Sequence, residues 1–267
     1  MFARPEPALR RYAVWTAFVL GCAWLASVPA GLEPAYYEAL APPTWRHPLG
    51  TDLFGKDQLS VLLYATWNSV WRAALVATLS MSMGFVAAIA SVLRPGSAVD
   101  RVIEAVAELL RAFPGIVAVL VFAAVGVPSY LMAAGYFSAN VWRVARQQLT
   151  EEVGRPYVWA LELAGLGRLR VIAVEAAYMV QHRMRPVALA LFAEALAVVE
   201  TLAFLGIAQS ADHPSLGFLL RDGFAAGLSG TLLWIPAILA LSAVPAATIL
   251  LADRIERRSV ELWRPPL

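Results

Sequence analysis

The chain has 267 residues, of which 60% are hydrophobic and only 15% charged, and the apolar residues come in blocks, a composition that excludes an ordinary soluble domain. The formal net charge of +2 is too small to argue for a nucleic-acid partner, and the single cysteine, Cys22, excludes a disulfide within this sequence.

The first apolar block, 12–32, is long enough to cross a bilayer. Val28-Pro29-Ala30 weakly resembles a signal-peptide cleavage site, but the block's length and its Trp15 and Trp24 favour a retained helix. An outer segment, 33–68, follows, rich in Pro, Tyr and Trp. Within it Gly50 to Lys56 matches most of a phosphate-binding loop, G-x-x-x-x-G-K. Asp57 stands where that loop needs a Ser or Thr for magnesium, and no hydrophobic strand precedes it, so nucleotide binding is rejected.

Further spans are predicted at 69–93, 112–127, 129–142, 187–207 and 231–252, with a tight turn at Val127-Pro128, which makes six in all. Between the fourth and fifth lies a polar interruption, 143–186, holding Arg143, Arg146, Arg155, Arg168, Arg170, Arg183 and Arg185. Inside it, 157–172 reads as two short helices joined at a glycine turn at Gly165. With the N-terminus placed in the cytoplasm, only Arg46, Lys56, Arg72 and Arg221 of the 21 basic residues fall on the outer side, so both termini are expected inside. The domain reading is 1–68 for the N-terminus, first helix and outer segment, 69–252 for a five-helix core including the polar loop, and 253–267 for a cytoplasmic tail.

Charges within spans are expensive and therefore candidates for function. Glu194 and Glu200 share the fifth span on different faces; for Glu200 a structural bond to another span is preferred over solute contact, and Glu194, nearer the cytoplasmic end, reads as a gate residue or a solvated one. Arg72 is expected to snorkel to the interface. Pro114, Pro236 and Pro245 interrupt helical spans, either as kinks in a moving helix or as static packing features. His47, His182 and His213 have no metal-ligand spacing and are assigned loop roles. No nucleophile-and-base set is visible, so no catalytic residue and no metal site is expected.

The segment HPLGTDLFGKDQLSVLLYATWNS resembles the HPLGTDxxGRDxLSRLLYGxRxS signature of permease subunits in ATP-binding-cassette (ABC) importers of the dipeptide, oligopeptide and nickel group. His47, Gly50, Asp52, Gly55 and Asp57 match it, and Lys56 takes the place of the usual Arg. Three further stretches follow in the family's order. Arg111-Ala-Phe-Pro114 is similar to the start of its third span, 157–172 to its cytoplasmic coupling segment, and Glu200-Thr-Leu-Ala-Phe-Leu-Gly206 to its E-A-x-L-S-F-L-G.

The resemblance implies an all-α, six-span fold of the type I importer class in the bacterial inner membrane. It implies a second permease subunit, two cytoplasmic ATPase subunits that hold the ATP and magnesium, and an extracytoplasmic solute-binding protein. No cofactor and no enzymatic activity are expected of this chain itself. The cargo would be peptides, nickel or metal chelates. The coupling surface would comprise Tyr157, Trp159, Ala160, Leu161, Glu162, Ala164, Gly165 and Ile172.

The chain departs from the pattern in three places. Trp159-Ala160-Leu161 stands for the family's E-A-A, Ala177-Tyr178-Met179 for its Leu-Pro-Asn, and Pro214-Ser-Leu216-Gly217 for its P-S-W-G. These mark a divergent member. Two other readings stay open: a secondary transporter or channel that couples ions through Glu194 and Glu200, and a membrane scaffold whose transport elements have decayed.

Overall fold

A computed structural model describes residues 37–39, 41–52, 55–115, 117, 129–207, 214–225 and 234–262. The expected first span and most of the third lie outside these residues, as do Cys22 and His213. Among the described residues the chain is all α-helix and turn, with one isolated β-bridge between Thr51 and Asp57.

Helix α1, Gln58–Leu93, is 36 residues long. It starts at Gln58 because Asp57 caps it, accepting the Ser60 amide at 3.0 Å and the Ser60 hydroxyl at 2.5 Å. The boundary expected at 68/69 therefore falls inside a continuous helix. It ends where Pro95 forces Arg94 out of helical geometry. Along it Thr66, Ser69, Thr78, Ser80 and Ser82 each return their hydroxyl to the carbonyl four residues back, which satisfies these five protons in an apolar medium.

Helix α2, Ala98–Ala112, is capped by Ser97, whose hydroxyl accepts the Asp100 amide at 3.2 Å. It stops because Phe113 precedes Pro114 and adopts an extended conformation, φ −98° and ψ 140°. Pro114 thus terminates a helix rather than kinking one. Helix α3, Ser129–Val153, contains the expected fourth span and runs eleven residues past it. Its second half carries Arg143, Arg146, Glu151 and Glu152.

Helix α4, Pro156–Leu163, is short and opens with proline at its first position. Helix α5, Arg168–Phe204, has 37 residues and passes through a π-helical stretch, Val171–Ala176, near its start. Helix α6, Leu216–Ala225, and helix α7, Trp234–Leu262, complete the order. Pro186 lies inside α5 and Pro245 inside α7, and the expected tail at 253–267 begins within α7.

Among the described residues three helical segments are long and apolar enough to cross a membrane, Gln58–Leu93, Arg168–Phe204 and Ile235–Arg254; the expected spans at 12–32 and over most of 112–127 lie outside those residues. The polar interruption is also shorter than its composition suggests. Residues 143–153 extend α3 and 168–186 begin α5, so only 154–167 interrupts the long helices.

The main core lies where α1, α3 and α5 meet, with Val76, Phe137, Leu149, Ile172, Val180 and Leu202 among its buried side chains. Gly84 sets the spacing of α1 and α3: a Cβ there would sit 2.6 Å from Val141 Cβ and 2.7 Å from the Ser138 carbonyl. Across the same interface Trp142 Nε1 donates to Ser91 Oγ at 3.0 Å. A second core, built on Val61, Ala65, Leu216, Leu219 and Ala237, seats α6 between α1 and α7.

Candidate functional site

The segment 154–167 is held by charge at one end and by backbone geometry at the other. Glu152, at the end of α3, is almost wholly buried and faces three partners. Tyr157 Oη donates to its Oε1 at 3.0 Å, and Arg155 Nε and Arg183 Nη2 pair with Oε2 at 3.1 and 3.3 Å. Arg183 comes from α5, so one carboxylate joins α3, α4 and α5. Burial, and then the hydrogen bond to the Glu152 carboxylate, push the Tyr157 phenol up to about 12.

At the other end Gly165 closes α4 in a Schellman motif. Its φ is +89°, its amide donates to the Glu162 carbonyl at 3.0 Å, and the Leu166 amide donates to the Leu161 carbonyl at 3.2 Å. Nothing lies within 4 Å of a Cβ built at Gly165. The glycine is required by backbone conformation, and the space beside it is open.

Between these fixed ends α4 buries Val158 and leaves one side bare. Trp159, Ala160, Leu163 and Ala164 occupy a single helix face, and Trp159 and Leu163 are 66% and 89% exposed. Tyr157, Leu161 and Glu162 are half-buried at its edge. Ile172 does not belong to this surface. It is fully buried in the main core, because it falls after the turn, inside the π-helical start of α5. The second short helix expected there is likewise the opening of α5, which continues because no proline interrupts it before Pro186.

Glu200 is 1% exposed in α5 and reaches α6. Its Oε2 accepts the Gly217 amide at 2.6 Å, while the Leu216 amide donates to Ser69 Oγ of α1 at 3.0 Å. Ser69 and Ser215 flank the carboxylate, and Arg72, which lies over the Trp71 ring, supplies positive charge in the neighbourhood. Asn68 Nδ2 donates to the Pro214 carbonyl at 3.0 Å. The start of α6 is thus fastened to both α1 and α5, with a carboxylate at a helix N-terminus where amides are free to donate.

Gly206 ends α5 in a second Schellman motif, with its amide 3.0 Å from the Ala203 carbonyl and the Ile207 amide 2.9 Å from the Leu202 carbonyl. A side chain on Gly206 would run into the Arg221 guanidinium of α6. Both ends of the Glu200–Gly206 motif therefore serve the seating of α6. Glu194 points away from the core on an exposed side of α5.

The outer signature forms a knot that leads into α1. Gly50 and Gly55 have φ of +78° and +75°, and a Cβ on Gly50 would come within 2.7 Å of the Ala41 carbonyl. Thr51 donates its hydroxyl to the Glu38 carbonyl and its amide to the Ala41 carbonyl, at 2.6 and 3.1 Å. Asp52 Oδ1 accepts the Lys56 amide at 2.8 Å. His47 packs at 5.3 Å from the Tyr37 ring. The amides of Gly50, Thr51, Asp52, Gly55 and Lys56 are all engaged within the segment, so they are not presented to a phosphate.

Sequence reasoning missed Glu152, Ser69 and Asn68. Their partners lie 31, 147 and 146 residues away for Arg183, Leu216 and Pro214, beyond any local periodicity. It also missed Asp100, buried in α2 and paired with Arg146 of α3 at 2.9 Å.

Among the described residues, helices long and apolar enough to cross a membrane, joined by a tethered helical loop, point to a helical membrane protein. The dipeptide transport system permease protein of Escherichia coli K12 is 31% identical over 228 residues, covering 78% of this chain and 74% of that protein. The corresponding Haemophilus influenzae protein is 28% identical over 228 residues, covering 82% and 75%. The oligopeptide transport system permease protein of Lactococcus lactis SK11 is 24% identical over 226 residues, covering 82% and 76%. The chain belongs to the family of dipeptide and oligopeptide ABC transport permeases. No protein-family model matches it. The inward-facing MetNI methionine ABC transporter overlays at a TM-score of 0.45 with 15% identity, over 76% of this chain and 95% of that one, a likeness too distant to fix the helix arrangement.

Proposed function

We propose that the chain is a membrane-spanning permease subunit of an ABC importer, that it moves peptides across the bacterial inner membrane, and that it works with a second permease subunit, two ATPase subunits and a solute-binding protein. In this reading α4 lies in the cytoplasm and its bare face docks in a groove of an ATPase subunit. ATP and magnesium are held there, and this chain catalyses nothing. Six spans are made up of the three long apolar helices, the 129–142 part of α3, and the blocks at 12–32 and 112–127, with both termini inside.

The observation that carries this reading is the α4 face of Trp159, Ala160, Leu163 and Ala164. It is small and apolar along one edge, exposed, and rigidly mounted between the Glu152 cluster and the Gly165 turn. An exposed apolar surface on a rigid mount fits a docking element. The names of the relatives favour peptides over nickel or metal chelates as cargo.

The test is copurification of the chain with an ATPase subunit in detergent, compared with Ala160→Arg and Ala164→Arg variants. The intact chain is expected to retain the ATPase and the variants to lose it. Retention by both variants, with the long helices still folded by circular dichroism, would place the ATPase contact elsewhere.

A further inference from the structure

Glu194 lies on the side of α5 turned away from the core, together with Ala190, Ala197 and Thr201, all within an arc of about 60°. It is nine residues from Arg185 and ten from the end of the helix at Phe204, so it falls about 13–15 Å from either end of the apolar stretch, near mid-membrane. Among the described residues no basic side chain pairs with it. The blocks 12–45, 112–142, 187–207 and 231–252 contain no Lys, Arg or His. Arg72 lies over the Trp71 ring near Glu200, and Arg221 sits against Gly206, about 18 Å along the helix from Glu194. Among the described residues Glu194 has no ion pair and no hydrogen bond.

A carboxylate in that position is not stable against lipid. It needs water or a positive charge delivered to it. The residues beside it are small, which leaves room for a passing molecule, and the Thr201 hydroxyl gives its proton to the Ala197 carbonyl at 2.7 Å and so presents an acceptor to the same side. Two acceptors facing outward on one stripe select for a donor cation.

We propose that Glu194 is the point in the solute pathway that receives a positively charged amino group of a passing peptide. This rests on the reading of the chain as a peptide importer's permease, and it adds a charge preference within the translocation step itself, separate from the choice made by the binding protein.

The experiment uses the complete importer in proteoliposomes, with peptide-loaded binding protein at saturation, so that Vmax reports translocation rather than capture. The Vmax ratio of a lysine-containing peptide to a glutamate-containing peptide of equal length is measured for the wild type, Glu194→Gln and Glu194→Lys. The ratio is expected to favour the lysine peptide several-fold in the wild type, to approach one in Glu194→Gln, and to invert in Glu194→Lys. An equal ratio in all three overturns the inference alone. No uptake of either peptide by the wild type overturns the peptide reading and the inference with it. Loss of the second permease subunit from Glu194→Gln also overturns it, because Glu194 would then bond the partner. In parallel, Glu194→Cys on a Cys22→Ser background should react with a water-soluble methanethiosulfonate and be protected by transported peptide. An unreactive cysteine there is inconsistent with a watered pathway and overturns the proposal.

Discussion

The Glu200 carboxylate accepts the Gly217 amide at 2.6 Å, joining the fifth-span motif to the Pro214–Gly217 turn across 17 residues of sequence. The two helices approach so closely that a Cβ on Gly217 would overlap the Glu200 backbone carbonyl and lie 3.1 Å from Ala203 Cβ. The bond and the small residue are two requirements of one joint. The bond satisfies an amide at the start of α6, and glycine permits the approach that makes the bond.

Glu200→Ala should therefore destabilise the protein by about 1–3 kcal/mol, the usual cost of leaving a buried donor without its acceptor. Glu200→Gln keeps an acceptor for Gly217 and should cost less, although it loses the attraction to Arg72. Gly217→Ala should be as harmful as Glu200→Ala, since the obstacle is backbone and cannot swing aside. Thermal unfolding of the detergent-solubilised chain checks the order. Equal melting temperatures for Glu200→Ala and the parent would contradict it.

Gly165 separates backbone strain from docking. Its left-handed conformation makes Gly165→Ala cost about 1–2 kcal/mol, and no steric penalty inside the chain is added because the space around it is open. Under the proposed function, Gly165→Trp places an indole on the docking side, so peptide-stimulated ATP hydrolysis by the complex should fall well beyond what Gly165→Ala causes. Identical hydrolysis in the two variants would remove the glycine from the interface.

The Glu152 cluster has a signature at alkaline pH. The folded-state pKa of Tyr157, pushed up to about 12, lies above its ordinary value of 10.0, so the folded state holds the proton more tightly than the unfolded one. The stability from this bond is complete below pH 10 and is lost as the pH climbs through about 12. Phenolate absorbance should show a late-titrating component in the parent that disappears in Tyr157→Phe and shifts downward in Glu152→Ala. Glu152→Ala should also raise amide exchange across α4 by freeing Arg155 and Arg183 together.

Where the sequence was read well, the signal was local. The glycine turn at Gly165 follows from conformational freedom at one residue, and the cost of a charge among apolar neighbours singles out Glu200, whose carboxylate bonds to a second helix. The errors came from elements whose ends are set by capping or distant pairing. Asp57 begins α1 eleven residues before the apolar block at 69–93, because an N-cap acts on the backbone whatever the hydropathy that follows. Arginines at 143–153 and 168–186 looked like a loop, yet they extend α3 and α5, since Glu152 and Asp100 supply the carboxylates that let Arg183 and Arg146 be half-buried in helices. Ile172 sits next to the coupling turn in sequence, but it turns inward because the chain has already re-entered the core.

Asp57→Ser completes the letters of a phosphate-binding loop, G-x-x-x-x-G-K-S, without supplying its geometry. Serine caps helices about as well as aspartate, so stability should change by less than about 1 kcal/mol. Nucleotide binding should not appear. Gly50 and Gly55 are placed to clear the Ala41 and Tyr37 carbonyls, and the amides of Gly50, Thr51, Asp52, Gly55 and Lys56 already have acceptors at 2.8–3.1 Å, so no cradle of free N–H groups is offered. Equilibrium dialysis of the isolated Asp57→Ser chain against magnesium-ATP should give the same background as the parent. Saturable binding in the variant would mean that the knot can open and present those amides, contrary to the hydrogen bonding seen.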